Sequence, residues 1–485
     1  MLKGKISKFK EKNRLGINYV YNLSYQILSM IIPLITTPYL SRVLGTENIG
    51  IYSYVASVTA YFTLFSTFGF HTYGQRQLAY DRDNRESCAN IFFEIMTDKL
   101  IFTVIAAIAY AFVIVFAGNE YRPYFISSGL LIISTFFDFS WFFQGLENFR
   151  MIFVRSLILK ITGLIFIFAF VKTDKDLTLY ILADAGANLL GNLSMMPAMV
   201  KYLRDVRPGK ISIKNGMKTS AELFVPMVAI YAYSLADRTM LGLTGNKAES
   251  GVYEQAHKIL RLLEMVLVSL STVLIPRISY IYKNEGREKV KTTIDNSYRF
   301  VIFLGMPICF GLFAAADNLV PWFFGSGYDK VAFLLKMSSP IIPIIGMANI
   351  AGNAVLIPIE EHNKTTVATI TGAVVNIILN SVWIGVWFST GAMAASIISE
   401  VLVCVIEMFF ARKYFNPGNI VKYILQSALF SALMYLTIRL ADSLTNFDGI
   451  IKTFIQIAVG MLVYGALFGV FIGGSEKLYG IIGKK

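Results

Sequence analysis

The stretch Val252–Pro276, VYEQAHKILRLLEMVLVSLSTVLIP, is long and apolar enough to cross a bilayer as a helix. It nevertheless carries Glu254, His257, Lys258, Arg261 and Glu264. These positions follow the i, i+3, i+4, i+7 pattern and fall on one helix face. An ionisable group at membrane depth costs roughly 2.5–3.5 kcal/mol on insertion scales and usually faces a partner or a watery cavity. A chain that keeps five on one stripe has something polar to handle inside the membrane.

The rest of the chain has the same apolar character. Of its 485 residues 55% are hydrophobic and 15% charged, against roughly 25% charged in a typical soluble domain. The composition predicts an all-α polytopic membrane protein with no sizeable soluble domain. Fourteen apolar spans can be drawn, near 15–40, 47–70, 90–117, 123–144, 151–171, 177–200, 219–241, 252–276, 297–316, 330–356, 365–388, 391–411, 420–440 and 450–473. With the N-terminus cytoplasmic, 30 of the 44 Lys and Arg residues lie in cytoplasmic segments and 9 in outside loops. That bias sets the orientation, with both termini cytoplasmic, and accounts for the net charge of +13 without nucleic acid. The basic start is read as the flank of a retained first helix, because no small-residue cleavage site follows it. Cys88, Cys309 and Cys404 are far apart and give neither a disulfide framework nor metal spacing.

Gly50-Ile51-Tyr52 recurs as Gly251-Val252-Tyr253, an offset of 201. A weaker match pairs Glu147–Arg150 with Glu361–Lys364. Six spans per half give a parallel repeat, the plan of many transporters, whose sites lie where the halves meet. The expected organisation is a tail over 1–14, an N-terminal lobe over 15–200, a basic linker over 201–218 and a C-terminal lobe over 219–411. Two further spans cover 420–473, and a cytoplasmic tail 474–485. At the repeat offset the charged stripe maps onto Ser53, Ala56, Ser57, Ala60 and Thr63, a small and weakly polar face. The fold therefore does not require the charges. Two readings compete: a cavity wall, or a self-neutralised ladder of Glu254 with Lys258 and Arg261 with Glu264.

Other polar residues fall inside spans. Lys160 lies about 15 Å into the fifth span, too deep to snorkel easily, with Asp138 and Asp184 as candidate counter-ions or a cavity as the alternative. Asn18, Asn22, Gln26 and Ser29 form a polar stripe leading to Pro33. Pro33 and Pro226 break the first span of each half, which suits a bending transport cycle. Arg42 and the pair Asp237 and Arg238 stand near the outer ends of spans one and seven, as anchors or as an outer gate. Glu400 and Glu407 share a face of span twelve, as a cation or proton site or as partners of a neighbouring helix. The chain has no phosphate-binding glycine loop, no HExxH and no nucleophile elbow. An enzyme is not expected, and neither is a cofactor or a metal.

The segments Pro33–Gly45, Gly50-Ile51-Tyr52, Phe143–Glu147, Ala236–Gly242 and Leu274–Arg277 resemble the Wzx-type polysaccharide flippases of the multidrug/oligosaccharidyl-lipid/polysaccharide exporter superfamily. The resemblance covers nearly the whole chain. It implies fourteen helices in two six-helix lobes plus two, and a substrate of undecaprenyl-pyrophosphate-linked oligosaccharide. That substrate is moved from the inner to the outer leaflet of the cytoplasmic membrane by alternating access, for O-antigen or capsule synthesis. Lys258, Arg261 and Lys160 then suit the pyrophosphate, Asn22, Gln26, Tyr231 and Tyr253 the sugars, and His257 and Arg42 complete the substrate cavity. Glu254, Glu264, Asp138, Asp184 and Glu400 become charge partners or proton or sodium sites. Expected partners are the lipid-linked oligosaccharide, membrane lipids, a polysaccharide polymerase and glycosyltransferases. A cation-coupled multidrug antiporter and a peptidoglycan-precursor flippase are the alternatives. The first lacks its first-helix acid, since no Asp or Glu lies between Leu15 and Thr46. The second lacks arginines on helices one and two other than Arg42.

Overall fold

The computed structural model describes residues 2–204, 206 and 213–472; within these, the side chains of 2–27, 29–30, 213–215, 226, 229, 270–273 and 470–472 are not described. Residues 205 and 207–212 of the linker and the 474–485 tail lie outside the described residues. Those described are almost wholly helical. The helices are α1 (Leu2–Thr67), α2 (Phe70–Asp81), α3 (Arg85–Phe116), α4 (Arg122–Ser128), α5 (Leu130–Phe136), α6 (Ser140–Gly145), α7 (Phe149–Phe170), α8 (Leu177–Leu193) and α9 (Met196–Leu203). They continue as α10 (Ile213–Leu243), α11 (Lys247–Asn284), α12 (Arg287–Phe324), α13 (Asp329–Ser338) and α14 (Ile341–Asn349), then a π-helical segment Ile350–Leu356. The last are α15 (His362–Ala411), α16 (Pro417–Leu444) and α17 (Gly449–Ile472).

Nine helices among the described residues are long and apolar enough to cross a membrane, or eleven if two bent pairs each count as one span. This makes the chain a multi-pass membrane protein but falls short of the fourteen expected. One reason is merging. Ile31–Asp81 runs 51 residues and His362–Tyr414 runs 53. At 1.5 Å per residue each is about 75–80 Å long, more than twice a hydrocarbon core of about 30 Å. Each joins two helices across a kink, at Gly45 (φ 75°, ψ 175°) and at Phe388 (φ 50°, ψ −125°). A second reason is breakage, since the sixth expected span is divided between α8 and α9.

The chain forms two compact units, residues up to Leu243 and from Thr244 onward. The repeat had placed residues from 219 onward in the second lobe, whereas α10 is part of the first unit. Its contacts explain the difference. Gly242 lies so close to the Tyr54 ring that a Cβ there would stand 2.1 Å from it, and Thr239 Oγ1 donates to Ser57 Oγ at 3.0 Å. Near the other end, the Phe224 and Phe68 rings lie 4.6 Å apart.

The duplication is visible in matching backbone and side-chain features. Gly45 and Gly245 both take φ 75°, at the turn that follows the first helix of each copy. Arg85 donates to the Tyr202 carbonyl at 2.8 and 2.5 Å and lies 5.4 Å from the Tyr202 ring centre. Arg287 donates to the Lys413 carbonyl at 3.3 and 2.9 Å and lies 5.2 Å from the Tyr414 ring centre. Positive φ recurs at Glu147 (56°) and Glu360 (66°), one position before the Glu361 that the sequence pairing suggested.

In the first unit one apolar core joins Leu44, Ile49, Val55, Tyr110, Phe125 and Ile181, and a second joins Phe70, Phe92, Trp141 and Phe142. Between α7 and α8, Asp176 accepts from Lys172 N, Thr173 N and Thr173 Oγ1 at 2.8–2.9 Å. These donors hold its carboxyl below the usual range. In the second unit Phe303 and Phe430 pack with Tyr464 and Phe468, tying α16 and α17 onto α12.

Candidate functional site

The first unit contains a polar pocket of about 230 Å³. One wall is the α1 face read from the repeat as small and weakly polar: Ala56, Ala60 and Thr63 line it. Two alanines one helical turn apart leave the space that larger side chains would fill. The facing wall brings Asp138, Arg155 from α7, and Asn188 and Asn192 from α8.

Arg155 organises this wall. Its Nη2 and Nε donate to Asn192 Oδ1 at 2.5 and 3.0 Å, and Asp138 Oδ1 stands 4.0 Å from Nη2. Asn192 is 4% exposed and donates onward to the Ser134 carbonyl at 2.8 Å and to Ser134 Oγ at 2.9 Å. Asp138 Oδ1 accepts the Ser140 N–H at 2.9 Å, and Ser140 Oγ lies 3.2 Å from His71 Nε2. The fully buried Lys99 donates to the Asp138 carbonyl at 3.0 Å. A guanidinium has five N–H donors, and Asn192 takes two, so Arg155 has donors to present to a pocket ligand. Amides, hydroxyls, one guanidinium and one carboxylate together suit a polar group with both donors and acceptors.

In the second unit the α11 stripe is graded. Glu254 is 5% exposed, Lys258 is partly buried and Arg261 is exposed. Glu254 Oε1 lies 3.9 Å from Lys258 Nζ, a loose i,i+4 pair. Glu264 is half-buried, with Arg261 and Glu400 as its charged neighbours. The His257 ring stands 5.8 Å from that of Tyr253, whose hydroxyl lies 3.3 Å from Ser396 Oγ. The stripe is thus paired at its Glu254 end and accessible at Arg261.

The other expected site residues are scattered. Lys160 makes no ion pair with Asp138 or Asp184 among the described residues; its charged neighbour is Arg155, and Asp138 faces Arg155 instead. Asp184 accepts from the Tyr52 hydroxyl at 3.4 Å. Arg42 is exposed, and Asp237 is buried beside the partly buried Arg238. Pro33 lies within α1. The side chains of Asn18, Asn22, Gln26 and Pro226 fall outside the described residues. Sequence reasoning missed Arg155, which it counted among the 30 cytoplasmic Lys and Arg residues, and the amides at 188 and 192. The signal was present: two asparagines at i,i+4 in an apolar helix share one face.

Residues 15–282 match the family model described as "Polysaccharide biosynthesis protein". A protein of Escherichia coli (strain K12) named as an O-antigen transporter is 23% identical over 406 residues, 82% of this chain and 98% of that protein. A protein of Haloferax volcanii named as a low-salt glycan biosynthesis flippase is 22% identical over 298 residues, 60% of this chain and 61% of its own length. Among solved structures, the lipid II flippase MurJ in an inward closed conformation superposes with a TM-score of 0.77 at 18% identity, covering 94% of this chain and 99% of that one. An inward-facing multidrug resistance MATE family transporter gives a TM-score of 0.61 at 13% identity, covering 81% and 98%. These two likenesses establish a shared fold. Since the family model spans more than half of its residues, the chain belongs to the polysaccharide biosynthesis protein family.

Proposed function

We propose that this protein is a flippase for undecaprenyl-pyrophosphate-linked oligosaccharide, a transporter rather than an enzyme. It moves repeat units from the inner to the outer leaflet of the cytoplasmic membrane for surface polysaccharide synthesis. The observation that carries the reading is the family match over residues 15–282, which includes both the Arg155 pocket and the α11 stripe. Relatives named as an O-antigen transporter and a glycan flippase support a lipid-linked glycan as the substrate class. The chemistry agrees. A pyrophosphate needs cations, which Lys258 and Arg261 offer on the second unit, and sugar hydroxyls suit the amides and Arg155 of the first. The lipid tail stays in the bilayer, and both termini are cytoplasmic. A polymerase and glycosyltransferases act on either side of the transport step.

Deleting the gene tests this. The expected result is loss of surface polysaccharide with accumulation of lipid-linked repeat units inside the cell. Unchanged polymer together with new sensitivity to cationic drugs would overturn the reading in favour of an antiporter.

A further inference from the structure

Glu407 on α15 belongs to neither polar surface described above. It is 5% exposed and has no hydrogen bond or ion pair among the described residues. Its carboxyl lies against the backbone of the π-helical segment. A Cβ added to Gly352 would stand 2.4 Å from Glu407 Oε1 and 2.8 Å from Oε2, so glycine is what makes room for it. The Tyr298 hydroxyl of α12 is fully buried and has no hydrogen-bond partner among the described residues; Cys404 and Glu407 are its neighbours, with Asp295 on its own helix. The charged neighbour of Glu407 is Glu400, on the same face of α15. Glu400 also faces Glu264 of α11, beside which stands Arg261. Arg261 sits by Glu264, and the charged group beside Glu407 is itself a carboxyl.

A buried ionised carboxylate with no cation or donor costs several kcal/mol, and a like charge nearby adds to that cost. A proton or a metal ion removes it. Among the described residues no three His, Cys, Asp or Glu side chains converge as metal ligands. We propose that Glu407, with Glu400 beyond it and Gly352 and Tyr298 around it, is a proton-binding site of the second unit, occupied at neutral pH. Any rearrangement that hydrates the carboxyl releases the proton, so occupancy reports the conformation of this unit.

Infrared spectroscopy of the full-length protein in nanodiscs tests the site with no transported substrate, so its outcome is separate from that of the flippase reading. At neutral pH the protein should show the carbonyl stretch of a protonated carboxylic acid, absent from Glu407→Gln. In Glu400→Gln that band should vanish at a lower pH than in the wild type, because the like charge is gone. Tyr298→Phe keeps the carboxyl and should shift the band's frequency. The proposal is overturned by the lack of such a band at neutral pH, or by its persistence in Glu407→Gln. Should the Gln variant fail to assemble, an unmoved band in Tyr298→Phe overturns it.

Discussion

Arg155 on α7 donates twice to the side-chain oxygen of Asn192 on α8, at 2.5 and 3.0 Å, and this joint forms one wall of the first unit's pocket. Two N–H groups on one acceptor need the fork of a guanidinium, which an ammonium lacks. Arg155→Ala should reduce surface polysaccharide at least about tenfold, the equivalent of one lost charged hydrogen bond of roughly 1.5–3 kcal/mol. Arg155→Lys should rescue it poorly. Polymer immunoblots normalised to protein in the membrane fraction check both. Normal polymer in the two variants would remove this pocket from the transport path.

Space is a separate requirement from charge. Ala60→Leu keeps every polar group of the pocket but places a larger side chain on the wall that Ala56 and Ala60 keep low. Transport should fall while thermal stability changes by less than about 1.5 kcal/mol, because the added atoms enter an open volume. Transport in proteoliposomes and melting in detergent separate the two effects. A fall in stability with no fall in transport contradicts the assignment.

The α11 stripe separates two roles of its lysine. Glu254 and Lys258 are 3.9 Å apart, so mutual neutralisation predicts that exchanging the two residues preserves function. A phosphate contact predicts loss, because the cation then moves one turn away. We expect the exchange, Lys258→Ala and Arg261→Ala each to abolish polymer while the protein still reaches the membrane. Cell fractionation and polymer staining read both outcomes.

Backbone geometry gives a fourth test. Gly45 takes φ 75° and ψ 175°, a region nearly confined to glycine, with no atom within 4 Å of an added Cβ. Gly245 repeats the φ with equally open surroundings. Gly45→Ala and Gly245→Ala should each cost of order 1–3 kcal/mol through backbone strain alone. Gly186→Ala, within α8 and also with open space around it, should be neutral or stabilising. Thermal melting of the three proteins compares them directly.

The duplication and the polar faces were legible in the sequence because each rests on local spacing. Gly50-Ile51-Tyr52 and its copy marked the repeat, and shortly before each of them Gly45 and Gly245 take the same φ of 75°. Mapping the charged stripe back by one repeat gave a small, weakly polar face, and Ala56, Ala60 and Thr63 of that face line the pocket. Arg155 was not legible, for two reasons. A charge near a span boundary reads as a headgroup anchor unless the helix start is fixed, and α7 begins at Phe149. Its partner Asn192 comes from another helix, which spacing within one helix cannot reveal. For Lys160 the depth left a counter-ion and a cavity open, and of the two candidate counter-ions Asp138 is turned to Arg155.

The Arg85–Tyr202 and Arg287–Tyr414 clasps fasten equivalent points of the two units. In each, an arginine at a helix start grasps a carbonyl and a ring at the end of a helix three spans later. The fastening is alike while the residues it frames differ, alanines and an arginine pocket in one unit and a charged ladder in the other. Such a scaffold lets cargo preference drift without remaking the frame.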